Sequence, residues 1–348
     1  MLAIDARPPA QAAANSSPAG TADRATPRPR LPAAGQPWHW EKLGCLYAPS
    51  GRHGFDASHC HKPTPLRIDA DTLRLYFGTR DAQGKTRTTF VDVSAHDPRQ
   101  VRYVHPEPVL DLGTLGAFDD SGANVSSVLR VGNAVYMYFI GWNPSTTVHT
   151  RNAIGLAISH NNGLSFQRAY DGAVLDRTRT EPFYTGAVDV MRTPDGRFRM
   201  WYTSGSAWKL INGKPEIFYH VKYAESADGI DWHRPDITCV PPAHEFEATA
   251  RPSVLWREGR FHMWYSRRDL RAFRDDPRQG YRGGYATSDD GIHWQRQDEL
   301  LGLSVSDEGW DSQAIAYPCV LEVDAQLYLF YNGNGFGRTG MGVARLLG

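Results

Sequence analysis

Five copies of one strand–turn–strand pattern, glycine turns in phase with those copies, and the absence of any long 3.6-residue periodicity predict an all-β chain. The specific expectation is a five-bladed β-propeller of four-stranded antiparallel blades, its ring closed by an N-terminal strand in the last blade. The copies read KPTPLRIDADTLRLYFG from Lys62, VSSVLRVGNAVYMYFIG from Val125, AVDVMRTPDGRFRMWYTSG from Ala187, RPSVLWREGRFHMWYSRR from Arg251 and YPCVLEVDAQLYLFYNG from Tyr317. Each joins a short apolar strand to an aromatic-rich one. The starts lie 62 to 66 residues apart, which is room for four strands of ordinary length.

Third strands follow as TTFVDVS, AIGLAIS, VKYAES, GGYATS and MGVARLL. Three of them run into SHNNGLSF, SADGIDW and SDDGIHW. Asn-Gly and Asp-Gly supply the positive φ angles of a tight hairpin, and the aromatic that follows is placed to pack between neighbouring sheets. The fifth copy stops after its third strand. HWEKLGCLYAP, from His39, aligns with IDWHRPDITCV and IHWQRQDELLG, so it is expected to supply the missing fourth strand. That closure would leave no free edge between first and last blades. The propeller therefore spans 38–348, with inner strands starting near 62, 125, 187, 251 and 317. Residues 1–37, rich in Pro and Ala and nearly free of large apolar groups, read as a disordered tail.

Lys+Arg and Asp+Glu both number 38, a balance that argues against a nucleic-acid partner. No apolar run approaches the ~20 residues of a membrane-spanning helix, so no membrane partner is expected. The N-terminal stretch lacks the apolar core of a secretory signal, and Cys45, Cys60, Cys239 and Cys319 form no CxxC pair. Reduced thiols and a cytoplasmic location are the expectation.

In a four-stranded blade the first-to-second and third-to-fourth turns share one face, and here they are minimal: VGN, TPDG, REG, ADG, DDG. The opposite face carries GWNPSTTVHTRN, TSGSAWKLINGKPEIFYH, SRRDLRAFRDDPRQGYR and NGNGFGRTG. Long, chemically rich loops on a rigid scaffold mark that face as the working mouth. The crossovers leading to it carry a carboxylate six residues before each inner strand: Asp56, Asp119, Glu181, Glu245 and Asp311, with Asp120 and Glu247 adjacent to two of them. Converging on one cavity, such acids could serve as general acid and base or hold a metal. They could equally cap strand entries or pair with arginines.

The candidate catalytic set is Asp56, Asp119, Asp120, Glu181 and Asp311. The candidate substrate-binding set is His61, Lys62, Asn124, Trp142, Asp189, Trp208, Glu247, Arg251, Gln313, Tyr317, Asn332 and Arg338. Arginines at the mouth, Arg80 and Arg268 among them, point to an anionic ligand. No cofactor is assigned; the His59–Cys60–His61 run, near His53, leaves a divalent metal open.

The repeats ARPSVLWREGRFHMWYS, YAESADGIDWHRP and YATSDDGIHWQR resemble the five-bladed propeller superfamily of glycoside hydrolases, which spans arabinanases and β-xylosidases, invertases and levansucrases, and mannoside phosphorylases. The resemblance covers about residues 38–348. It implies a carbohydrate substrate and three catalytic carboxylates on the first three inner strands. At those positions this chain has Lys62, Val125 and Gly186. The expectation that follows is an enzyme cleaving or transferring a glycosidic bond of a small anionic sugar, with Asp120 and Glu181 as relocated acids. Two alternatives stay open. One is a transfer or elimination on a sugar- or nucleotide-type intermediate, centred on Lys62, the histidines and Arg251. The other is a glycan-binding module without catalysis.

Overall fold

The computed structural model describes residues 30–33, 35–273 and 275–347. Most of the expected tail lies outside these residues; of the remainder, Leu31 packs against the cluster that holds Trp38 and Trp40. The chain is all-β. After β1 (Trp40–Tyr47) come β2 (Ser58–Arg67), β3 (Thr72–Arg80), β4 (Thr86–Ser94) and β5 (Val101–Val104), then β6 (Gly122–Val131), β7 (Ala134–Asn143), β8 (Arg151–Ser159) and β9 (Gln167–Arg168). They are followed by β10 (Thr185–Arg192), β11 (Phe198–Ile211), β12 (Lys214–Ser226) and β13 (Thr238–Val240), then β14 (Glu247–Arg257), β15 (Arg260–Asp269), β16 (Arg282–Ser288) and β17 (Gln295–Arg296). The last three are β18 (Ala316–Val323), β19 (Gln326–Asn332) and β20 (Met341–Leu346).

These strands form five antiparallel four-stranded units. The units β2–β5 and β6–β9 are joined into one sheet by a single parallel bridge, Thr86 with Gly122. In the fifth unit β1 pairs with β20, Trp40 opposite Leu346 and Tyr47 opposite Met341, as the alignment of the N-terminal segment implies. Contacts between first strands run β2 to β6, β6 to β10, β10 to β14, β14 to β18 and β18 back to β2.

The phased turn motifs explain how units dock. Second-strand aromatics reach across to the turn glycine of the following unit: Tyr76 Oη donates to the Gly163 carbonyl (2.8 Å), Tyr138 Oη to Gly229 (2.7 Å) and Trp201 Nε1 to Gly291 (2.8 Å). The three glycines have φ of 76–79°, where a Cβ is disfavoured, and the acceptor carbonyl is thereby turned toward the neighbour. The aromatic after each turn fills the seam. Phe166 packs edge-on to Tyr76, Trp232 to Tyr138 and Trp294 to Trp201, with centroids 5.7–6.1 Å apart.

One loop reading is corrected. TSGSAWKLINGKPEIFYH is no irregular loop: β11 and β12 continue through it as a paired ladder, with one register shift between Gly205 and Ala207, to a turn at Asn212–Gly213, where Asn-Gly closes the hairpin.

Candidate functional site

Every first strand is interrupted by a bulge at the same place: between His61 and Thr64, Val125 and Ser127, Gly186 and Val188, Ala250 and Ser253, and Ala316 and Cys319. A bulge adds a residue and re-aims a side chain. In three units the extra residue is left-handed although it is not glycine: Lys62 at φ 54°, Arg251 at 52° and Tyr317 at 57°. Such conformations cost about 1–3 kcal/mol each and persist only where the surroundings enforce them.

Near these bulges lies a cavity of about 370 Å³ to which all five units contribute. Its cationic and imidazole groups are Arg80, from the end of β3, Arg268, from β15, His61 and His149. Its aromatic wall is Trp142, Tyr184, Tyr219, Tyr281, Tyr317 and Phe336, and Thr86, Asn124, Thr150 and Asn152 add neutral polar groups. Among the described residues no carboxylate lines it. Gly122 admits Trp142: a Cβ there would meet the indole nitrogen at 1.7 Å.

Among the described residues, several buried polar atoms of this lining have no hydrogen-bond partner: Arg80 Nε, Arg268 Nε, His61 Nε2 and Asn124 Oδ1. Arg268 lies over the rings of Phe273 (3.9 Å), Tyr219 (4.9 Å) and Tyr281 (5.3 Å). Burial, then the Arg80 charge, pushes the His61 imidazole well below its ordinary value, and burial with Arg80 and Arg338 brings His59 down to about 4. Both imidazoles are therefore neutral at pH 7. Lys62 Nζ stands 4.7 Å from the centre of the Tyr317 ring.

The crossover carboxylates do not converge on this cavity, and that expectation is corrected. Asp119 is fully buried and paired with Arg168 of β9 (2.7 Å). Glu181 takes Lys222 (3.0 Å), Arg234 (2.8 Å) and the Tyr202 hydroxyl (2.8 Å). Asp311 takes Lys42 of β1 (2.7 Å) and the Tyr331 hydroxyl (3.0 Å). In the fourth unit the counterpart is Glu247, bound by Arg296 of β17 (2.7 Å), while Glu245 is exposed. Asp56 closes a local turn, accepting from Ser50 Oγ and the His53 amide, and Asp120 accepts from the Gly116 amide and Ser121 Oγ. The common phase thus has a packing cause. In four units the acid beside the strand entry is neutralised by a cation on or near the outermost strand, which lets both be buried.

Other expected residues divide similarly. Asp189 accepts from Ser127 Oγ (3.0 Å) and the Val254 amide (2.7 Å), tying β6, β10 and β14 together; burial raises its carboxyl pKa. Arg251 is wholly buried, donating to the Pro252 carbonyl and to Thr64 Oγ1. Asn332 accepts from the Lys62 amide (2.7 Å) and donates to the Cys60 carbonyl, so it shapes the bulge from behind. Trp208 sits on the extended hairpin with its ring edge-on to His149 (5.0 Å). Gln313 lines an adjoining cavity that shares Tyr281 and Phe336. Arg338 is sensed by His59 and Arg80 but is not part of the lining. His59 and His61 stand with ring centroids 4.8 Å apart, and among the described residues no group of three or more His, Cys, Asp or Glu is placed to hold a metal.

Of the expected substrate-binding set, the cavity gathers His61, Asn124, Trp142 and Tyr317, with Lys62 against Tyr317. Tyr184, Tyr281, His149, Asn152 and Phe336 lay outside that set. Tyr184 and Tyr281 sit one residue before β10 and β16, a position whose direction depends on strand entry. Arg80 and Arg268 carried the better signal, each closing an aromatic second strand, LYFGTR and MWYSRR.

No protein-family model matches the chain. The fold is shared with glycoside hydrolases. One solved structure titled "Glycoside hydrolase" aligns over 89% of this chain and 91% of its own, at TM-score 0.68 and 17% identity. A thermostable family-43 glycoside hydrolase aligns at TM-score 0.59 and 16% identity over 86% and 91%. A structure from the GH130 family of mannoside phosphorylases, described as containing hydrolases of β-1,2 mannosidic linkages, aligns at 0.65 and 15% over 92% and 96%. The resemblance drawn from the repeats is therefore present in three dimensions. No helix among the described residues is long and apolar enough to cross a membrane. Among curated sequences, the uncharacterized proteins Rv1502 and MT1551, from two strains of Mycobacterium tuberculosis, are each 35% identical over 308 residues, 88% of this chain and 99% of theirs. With that identity across nearly the whole of both sequences, the chain belongs to the family of these mycobacterial proteins.

Proposed function

We propose that residues 38–348 form a five-bladed β-propeller and that its cavity binds a sugar or sugar derivative carrying an anionic group, whose glycosidic bond it cleaves or transfers. The cyclic contacts among the five first strands and the β1–β20 pairing support the propeller reading. The observation that carries the ligand class is the lining itself. Arg80 and Arg268 face one cavity that, among the described residues, has no carboxylate in its lining, and each keeps a buried N–H without a partner among them. Arg268 feels the buried Glu216 carboxylate, whereas no carboxylate acts on Arg80, and an anionic ligand would satisfy the open N–H groups of both. Trp142 and the tyrosines offer faces for a sugar ring. Four free thiols suit a cytoplasmic setting.

The test is calorimetric titration with glucuronate, galacturonate and N-acetylneuraminate against glucose and galactose. An anionic sugar should bind with an affinity at least about 10-fold above its neutral counterpart. Arg80→Met and Arg268→Met should each weaken it by about 10- to 100-fold, the worth of a charged hydrogen bond. Equal affinity for neutral and anionic sugars would overturn the reading.

A further inference from the structure

We propose that the bond is cleaved by β-elimination, with the Lys62 amine as the base that removes the proton from the carbon next to the substrate carboxylate. This rests on the anionic-sugar reading above and specifies its chemistry.

Three features of Lys62 carry the inference. Its backbone is held in the left-handed region by contacts that converge on the bulge: its amide donates to Asn332 Oδ1 and its carbonyl accepts from Thr64 Oγ1 (2.9 Å), which in turn accepts from Arg251 Nη2 (3.2 Å). The bulge re-aims the side chain so that Nζ stands 4.7 Å from the centre of the Tyr317 ring, which is part of the cavity wall. Second, the amine has no counter-ion. Among the described residues no carboxylate lies within ion-pair distance of it, and Asp189, on β10, is engaged by Ser127 and the Val254 amide. Its charged surroundings are Arg251 on β14 and Arg80 on β3, with neutral His61 before it and the Tyr317 face opposite. Third, burial and those two guanidinium charges bring the amine down to about 7, so a large share is free base at neutral pH.

The absence of a carboxylate in the cavity fits this chemistry. Hydrolysis of a glycoside by the common route needs two carboxyl groups across the bond. Elimination needs one base and a cationic clamp. With a hexuronate carboxylate held by Arg80 and Arg268, the proton on C5 is acidified. Lys62 Nζ takes that proton, the C5–H electron pair becomes the C4=C5 double bond, and the C4–O4 bond breaks. The ammonium so formed returns the proton to the departing O4. No water, oxidant or metal is consumed, and the amine ends as it began. A carboxylate beside Lys62 would oppose both requirements, raising the amine's proton affinity and repelling the substrate.

The experiment uses the full chain with oligomers of glucuronate, galacturonate and mannuronate. Binding is read by calorimetry, and products by ultraviolet absorbance of the conjugated alkene and by mass spectrometry. The expected result is an unsaturated product with no added water and a kcat/KM that rises with pH and levels off above the Lys62 pKa. Lys62→Gln should lose about 10²- to 10⁴-fold in rate while still binding substrate. Lys62→Cys should be inactive and regain turnover after aminoethylation of the thiol, a rescue that a merely structural role would not give. Products that have gained water, or a Lys62→Gln enzyme with the wild-type rate, would overturn the elimination. Uronates that bind yet yield no alkene refute the elimination alone, failure of every uronate to bind refutes it as well, and failure of N-acetylneuraminate alongside them refutes the anionic-sugar reading too.

Discussion

Replacing Lys62 with Met should stabilise the protein, and the gain should depend on pH in a defined way. Among the described residues the amine makes no hydrogen bond through Nζ, so an unbranched apolar side chain of similar length forfeits none there and keeps a contact with the Tyr317 ring. What the wild type carries is the cost of holding an ammonium among Arg251, Arg80, His61 and Tyr317. Its folded pKa is lowered from 10.5 to about 7. At 1.36 kcal/mol per unit this corresponds to a penalty of about 5 kcal/mol. Because the folded state binds its proton less tightly than the unfolded chain, the penalty is full below pH ~7. It shrinks by about 1.4 kcal/mol per pH unit as pH rises toward 10.5, where both states are neutral. Urea unfolding of wild type and Lys62→Met, followed by tryptophan fluorescence at pH 6, 8 and 9.5, should show a gap that is largest at about pH 6 and reduced to roughly 1–2 kcal/mol at the highest pH. A gap that does not change with pH, or a Met variant less stable than wild type at pH 6, would refute the argument. Either would mean that the amine is paired in the folded protein and unfit to serve as a base.

Two further outcomes separate structural from functional charge. Glu181→Gln should destabilise the fold by about 3–5 kcal/mol by stripping a buried partner from Lys222 and Arg234, while ligand affinity per folded molecule stays unchanged in calorimetry. The Glu181 carboxyl is held below its ordinary value by Tyr202, Arg234 and Lys222 against the opposing effect of burial. Its stabilising share is thus present above the ordinary carboxylate range and is lost as pH falls through the lowered folded value, and acid unfolding midpoints of the two proteins should converge at low pH. Tyr138→Phe leaves the Gly229 carbonyl without its donor across a unit boundary and should cost about 1–3 kcal/mol in a denaturant titration.

Much of the architecture was legible because it is periodic. A strand alternates its faces every two residues, a hairpin needs φ > 0 at its turn, and both requirements recur here every 62 to 66 residues. HWEKLGCLYAP could be placed on β20 for the same reason: it carries the outer-strand pattern in a segment far from its partner. The hairpin through Trp208 reads as a loop in sequence because its strand alternation is diluted by Gly, Ser and Lys, although Asn212–Gly213 marks its turn.

The candidate site was legible only as a population of residue types. Asp119, Glu181 and Asp311 share a phase, and nothing in residue order says whether a carboxylate in that phase points to the axis or back to the outermost strand. Arg168, Arg234 and Lys42 decide it, and Lys42 lies more than two hundred residues from Asp311 in the chain. Residue order by itself determined the strands, the turns, the repeat and the chemical stock of the loops, since these follow from local backbone preference and from which side chains water rejects. Only the tertiary structure decided which charges meet. It neutralised Asp119, Glu181, Glu247 and Asp311 in ion pairs beneath the surface and, among the described residues, left Arg80 and Lys62 without a paired carboxylate, because Coulomb energy and desolvation depend on distances that chain folding alone creates.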